Sequence, residues 1–332
     1  TNPNCAELVK KICLLEGAAQ GVTFATGMSA IFSSFAALLD SGDHILSARA
    51  IFGNTHTLFT KHLPKWGITH TYFDITELDE ISSKVQPNTK IIYVESPTNP
   101  ATEIADLERL GALAQKHNLI FIVDNCFATP YLQQPIHYGA DLVMHSATKF
   151  LDGQGRTMGG ITVGSAQLID TIYRFARVTG PALSPFNAWT ISKSLETLAV
   201  RVERHCKNAL ELATHLENQP QIKKVRYPFL PSHPQYTLAQ KQMKAGGSIV
   251  TIELAGGLQK GRDFLNAIKM CSLTANLGDT RTIVSHPAST THSKLSSAER
   301  DEVGISDGLI RISVGLEHIE DIKNDIIQAL EN

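Results

Sequence analysis

Seven short apolar runs, separated by segments of helical spacing, constrain this chain more than any other feature. They are GVTFAT (21–26), HILSA (44–48), THTYFD (69–74), KIIYVES (90–96), LIFIVDN (119–125), DLVMHS (141–146) and GGITVG (159–164). Near-continuous apolar runs of this length read as strands buried on both faces. AELVKKICLLEG has the spacing of an amphipathic helix that Gly17 caps. MSAIFSSFAALLDSG reads as a helix stopping at Gly42, and ADLERLGALAQKHN as another between two strands. Strand and helix in repetition predict an α/β fold with a mostly parallel sheet covered on both faces.

The texture changes after about residue 185. FNAWTISKSLETLAVRVERHCKNALELATHLEN predicts one long helical stretch, followed by the Pro-rich connection YPFLPSHPQY. SIVTIEL and LIRISVG are strand candidates, and GRDFLNAIKM and HIEDIKNDIIQALE are helix candidates. We expect a large domain over 1–200 and a smaller C-terminal α/β domain over 201–332. No internal repeat interrupts this pattern.

With a net charge of −2, nothing electrostatic points to nucleic acid or an anionic membrane surface. No run is long enough to span a bilayer, and TNPNCAELVKKI lacks the charged leader and apolar core of a signal peptide. Five cysteines without a CxxC pair argue for a reducing, cytoplasmic compartment rather than a disulfide framework.

Ligands of open parallel sheets bind beyond the carboxyl ends of strands, where several polar groups fall. Gly27 opens a helix directly after GVTFAT, which offers amides and a helix dipole to an anion, although one glycine equally marks a plain tight turn. Asp124 follows five apolar residues. A carboxylate there needs a partner, such as a pyridinium N–H, or caps a turn. Asn99 lies between two prolines and either aims its amide at a ligand or belongs to a Pro-punctuated turn.

Arg311, inside the apolar strand LIRISVG, calls for an anion, either a bound carboxylate or an internal acid. The segment DLVMHSATKFLDGQG (141–155) is the most specific. In a locally extended chain the hydroxyls of Ser146 and Thr148 face one way and suit a single phosphate. Lys149 follows, where partial burial favours a neutral, nucleophilic amine. Gly153 and Gly155 let the backbone bend away.

Together these motifs, with TGMSA, ESPTNP, VDN, FATPYL, HPASTTH and IRISVGLE in order, resemble the pyridoxal-phosphate enzymes of cysteine and methionine metabolism. That group contains cystathionine γ-synthase, the cystathionine lyases, methionine γ-lyase and the acylhomoserine sulfhydrylases. DGQGR (152–156) and Phe52 in AIFGNT are most similar to the sulfhydrylase branch that uses O-succinylhomoserine.

The resemblance implies the aspartate-aminotransferase type of fold (fold type I) and pyridoxal 5'-phosphate as cofactor. It implies Lys149 as the Schiff-base lysine and Asp124 at the pyridine nitrogen. Gly27, Met28, Ser146 and Thr148 would surround the phosphate, with Asn99 near the ring oxygen. Phe52 would stack on the ring, and Arg311 and Asn276 would bind substrate. It further implies a homotetramer, a dimer of dimers with shared active sites. Relatives carry a Tyr-Ser-Arg run just before the segment matching TNPN, which reaches into the neighbouring subunit's phosphate site; the sequence given starts at Thr1, after that point.

Many relatives have tyrosine where Phe52 stands. Phenylalanine stacks but moves no proton, so a carboxylate leaving group, stable as an anion, suits it better than a thiol. The expected reaction is replacement of the γ-acyloxy group of an acylated homoserine by sulfide, giving homocysteine. Asn54, where methionine γ-lyase has cysteine, leans the same way.

Three other readings are weighed. A nicotinamide oxidoreductase would need a GxGxxG after a strand, and none is there. A zinc enzyme could recruit His286 and His292, whose spacing lacks a carboxylate pattern. A catalytically silent binding protein on the same fold would be expected to lack Lys149 or Asp124.

Overall fold

In the computed structural model, which describes residues 2–290, 300 and 304–331, the seven apolar runs form one sheet. Its strands are β1 (Gln20–Phe24), β2 (His44–Ala48), β3 (Thr69–Phe73), β4 (Thr89–Glu95), β5 (Ile120–Asp124), β6 (Leu142–Ser146) and β7 (Gly160–Gly164). The spatial order is β1-β7-β6-β5-β4-β2-β3. All pairs are parallel except those of β7, which runs antiparallel to both neighbours. Ile91, Ile92, Tyr93, Val94, Phe121, Ile122 and Val123 are fully buried. Each such side chain contributes roughly 1.5–3 kcal/mol of transfer free energy.

The helices of this unit are α1 (Pro3–Glu16), α2 (Gly27–Leu38), α3 (Gly53–Thr57), α4 (Ile81–Lys84), α5 (Leu107–His117), α6 (Thr129–Leu132), α7 (Ala166–Thr179) and α8 (Pro185–Ser194). The start and stop of α1 follow from its ends. The Asn2 side chain accepts the Asn4 N–H at 3.0 Å, and Gly17 takes φ 73° while its N–H bonds Cys13. Two expected boundaries differ. Helix α2 stops at Leu38, and Gly42 (φ 98°) lies in the turn beyond. The long helix expected over 186–218 is divided by a 3-10 turn at Leu195–Thr197, where the Ser194 hydroxyl bonds the Thr190 carbonyl at 2.8 Å.

The first unit comprises the described residues up to Pro97, with Ala105–Asp152 and Arg156–Leu198. The second gathers 98–104, 153–155 and the described residues from 199 onward. Its sheet contains β8 (Ile222–Arg226), β9 (Ile249–Leu254), β10 (Ser272–Leu273), β11 (Ile283–Ser285) and β12 (Leu309–Ser313), ordered β10-β11-β12-β9-β8. Only β10 and β11 pair in parallel. Helices α9 (Leu198–Leu216), α10 (Tyr236–Gln242), α11 (Gly257–Ala267) and α12 (Ile319–Glu331) accompany it. Leu212 and Leu216 of α9 and Ile322 and Ile326 of α12 share a core with Val250, Ile252, Ile310 and Ile312 of the sheet. Among the described residues no helix is long and apolar enough to cross a membrane.

Candidate active site

In the first unit, β1, β4, β5 and β6 run in one direction. Their carboxyl ends deliver Gly27, Glu95, Asp124 and Ser146. A side chain on Gly27 would collide with Ser146, its Cβ lying 2.7 Å from that of the serine. Glycine therefore lets the first turn of α2 close on the Ser146 hydroxyl. Thr26 caps the helix by accepting the Ser29 N–H at 3.0 Å, and the Thr55 hydroxyl approaches Met28 Sδ at 3.9 Å.

Beyond Ser146 the chain turns instead of staying extended. The Lys149 N–H bonds the Ser146 carbonyl at 3.1 Å and the Asp152 N–H bonds that of Ala147 at 3.0 Å. The extended geometry expected for Ser146 and Thr148 is thus corrected, because local turn hydrogen bonds replace the strand ladder. Thr148 Oγ1 accepts the Gly159 N–H at 3.2 Å. Asp152, fully buried, closes the turn through the Arg156 guanidinium at 2.9 Å and the Ser194 hydroxyl at 3.2 Å. Gly153 and Gly155 have φ of 68° and 63°, which a side chain rarely adopts.

Lys149 is partly buried. Its charge reaches the neighbouring Cys126 thiol and opposes the effects of burial and of Asp124, which hold that thiol protonated. Asp124 Oδ1 accepts the Cys126 N–H at 3.0 Å. Burial lifts its pKa to about 6, against the lowering by that hydrogen bond, by His145 and by Tyr93.

Glu95, buried, accepts the Phe52 N–H at 2.6 Å. Its carboxyl titrates well above the usual range, first because of burial and then because of Asp124. Phe52 itself is 36% exposed, leaving its ring open to a ligand.

The second unit holds Arg311, Asn99 and Asn276. Arg311 is 1% exposed, and burial lowers its pKa to about 10. Nη1 donates to Asn99 Oδ1 at 3.1 Å, and Nη2 to the carbonyls of Ala275 (3.1 Å) and Asn276 (2.8 Å). Nε finds no partner, and among the described residues no carboxylate pairs with the guanidinium. An internal acid therefore does not explain this cation. Asn276 meets it through its backbone carbonyl, and Asn99 through its amide oxygen.

The first unit's groups fit a phosphorylated pyridine ring, and those of the second unit fit a carboxylate. A glycine-opened helix N-terminus beside a serine hydroxyl suits a phosphate, Asp124 suits a ring N–H, and the orphaned Arg311 Nε suits an anion. Sequence reading passed over Glu95, although it ends its strand as Asp124 ends the next, and it passed over Glu16 and His145 described below. A cleft of about 640 Å³ lined by Cys5, Val22, Tyr173, Arg177 and Leu183 takes in none of the site residues. Among the described residues no three His, Cys, Asp or Glu could hold a metal. His286 is bonded to Ser289 and to the Asp307 carbonyl, and His292 lies outside the described residues.

The model of the Cys/Met metabolism PLP-dependent enzymes matches residues 1–331. An O-succinylhomoserine sulfhydrylase of Pseudomonas aeruginosa is 46% identical over 330 residues, 99% of this chain and 82% of the relative. An L-methionine gamma-lyase of Fusobacterium nucleatum is 43% identical over 334 residues, 99% of this chain and 84% of the relative. The crystal structure of metB from Corynebacterium glutamicum superposes with a TM-score of 0.96 at 37% identity, covering 100% of this chain and 86% of that one.

Proposed function

Because the chain belongs to the Cys/Met metabolism PLP-dependent enzymes, we propose that it catalyses γ-replacement on an O-acylhomoserine with sulfide, giving homocysteine. O-succinylhomoserine is the acyl ester assigned. Similarity alone does not choose between this and a γ-lyase, since relatives with either printed activity lie at 46% and 43% identity. Phe52 carries the choice, as a stacking ring with no proton to give.

Pyridoxal 5'-phosphate, when bound, supplies a protonated ring that takes up the electrons of the substrate Cα. The amides of Gly27 and Met28 and the hydroxyls of Ser146 and Thr148 would hold its phosphate, and Phe52 would cover its ring face. Asp124 would hold a proton at the ring nitrogen. Asn99, which accepts from Arg311 Nη1 at 3.1 Å, would stand near the ring oxygen.

Lys149 Nζ would hold the cofactor covalently, and as a free amine it would take the substrate α-proton and give it back. Arg311 takes the α-carboxylate bidentately, with the Asn276 segment closing around it. Succinate leaves Cγ as a stable anion and needs no general acid there. Residues 1–200 form the cofactor domain and 201–332 the domain that binds the substrate carboxylate. A cytoplasmic homotetramer with shared active sites is the assembly this reading takes from the family resemblance.

The test is steady-state competition between O-succinylhomoserine and O-acetylhomoserine with sulfide or cysteine, beside cystathionine and methionine cleavage. Acyl-ester consumption should be far faster. Faster cleavage of methionine or cystathionine would establish the second reading, a γ-lyase, which the 43% relative favours.

A further inference from the structure

Behind Asp124 lies a buried polar network that the reading above does not use. Glu16, in the last turn of α1, is fully buried, as are Asn125 and Ser96, while His145 and Gln133 are nearly so. Glu16 Oε1 sits 2.6 Å from His145 Nε2 and accepts the Asn125 side-chain amide at 2.9 Å. Asn125 also donates to the Gln133 carbonyl at 2.8 Å, and the Gln133 amide donates to the Ser96 carbonyl and to Asn125 Oδ1, each at 2.9 Å.

The register shows what this network grips. Asp124 pairs with Met144 across β5 and β6, and the Asn125 N–H bonds the Met144 carbonyl at 3.0 Å. Asn125 and His145 are therefore each one residue beyond that pair. Period-two alternation sends their side chains to the sheet face opposite Asp124. One carboxylate from α1 thus clamps both strands at the level of Asp124.

A carboxylate buried without a cation is costly. Glu16 Oε2 has no hydrogen-bond partner, and among the described residues His145 is its one ion-pair partner. The contact joins a carboxylate oxygen to a ring nitrogen, and His145 Nδ1, like Glu16 Oε2, has no hydrogen-bond partner. We propose that Glu16 and His145 are positioning residues for Asp124: the imidazole that Glu16 anchors on the reverse face of the sheet favours the ionised Asp124 carboxyl, so that the proton rests on the bound ring's nitrogen. This rests on Asp124 being that nitrogen's partner.

The other titratable groups around Asp124 are Glu95 and Tyr93 of β4, Cys126, and Lys149 after β6. Burial raises Glu95 and Tyr93 well above their ordinary values, and His145 is the group that reaches Asp124 from the reverse face. Its effect on Asp124 is a lowering, in the direction the proposal requires.

The test is the ¹⁵N NMR signal of ring-labelled pyridoxal phosphate in holoenzyme, comparing wild type with Glu16→Gln and His145→Gln. Both variants keep an isosteric or near-isosteric amide at the contact. Wild type should show a protonated pyridine nitrogen, and either variant that binds cofactor should move toward the neutral pyridine signal. A purely structural role would lower thermal stability without moving that signal. A protonated wild type whose variants keep the same signal overturns this inference alone. A wild type with an unprotonated nitrogen overturns the assignment of Asp124 and, with it, the inference.

Discussion

Glu95 and Asp124 occupy paired positions at the carboxyl ends of neighbouring parallel strands, β4 and β5. Two acids so placed, Glu95 buried and Asp124 partly so, cannot both ionise cheaply. The structure divides their roles. Glu95, raised well above the usual carboxyl range, accepts the backbone N–H of Phe52. Asp124, raised only to about 6, has the Cys126 N–H and the His145 imidazole to favour its charge. Glu95 fixes the loop that carries Phe52, and Asp124 is left for a ligand.

Cofactor-free protein should report this through pH. Asp124 titrates at about 6 when folded and at the ordinary 3.8 when unfolded. Between those values the native state binds a proton that the unfolded chain has lost, so stability falls as pH rises from about 4 to about 6 and then levels. Urea midpoints of wild type and Asp124→Asn across that range should differ most in slope there. Parallel curves would contradict the assignment.

The second unit should show the opposite sign at His205. Burial lowers its pKa to about 4, against the raising by the Val314 carbonyl that Nδ1 bonds at 2.7 Å. This neutral imidazole contributes stability above 6.5, lost as pH falls from 6.5 towards 4. His205→Asn, which can keep the bond to Val314, should flatten that acid limb. An unchanged limb would mean that other groups set it.

Arg311→Lys should raise KM for the amino-acid substrate by about 10- to 100-fold, the scale of a lost charge-assisted pair. The effect on kcat should be smaller. Equal losses in both, or an unchanged KM, would remove the guanidinium from carboxylate binding. Melting curves of the variant separate this from unfolding.

Phe52→Tyr introduces an ionisable hydroxyl at the stacking position. The ratio of methionine or cystathionine cleavage to acylhomoserine replacement should rise by about tenfold or more, the lower part of what a positioned proton donor contributes. A constant ratio would show that leaving-group choice is set elsewhere.

Much of this architecture was legible in the sequence because strands buried on both faces leave an unbroken apolar signal. LIFIVD and KIIYVE are of that kind, and both place their terminal acids at the strand ends where the structure has them. The amphipathic strand β8, IKKVR, and the two- and three-residue strands β10 and β11 carry too few apolar residues to stand out. Nor does composition reveal long-range polar contacts. Glu16 and His145 are 129 residues apart and look like an ordinary helix-end acid and a strand histidine until the register joins them. The turn after Ser146 was misread because its hydrogen bonds depend on backbone direction, which SATKF does not announce.

The central claim, that the amine of Lys149 bonds the cofactor, is tested most directly by borohydride reduction of the holoenzyme followed by peptide mapping. The account predicts one pyridoxyl-modified peptide containing Lys149. It also predicts that Lys149→Ala loses this adduct, the visible absorption of bound cofactor and about a thousandfold or more of turnover. A stable pyridoxyl adduct on another lysine, with Lys149 unmodified, would contradict it.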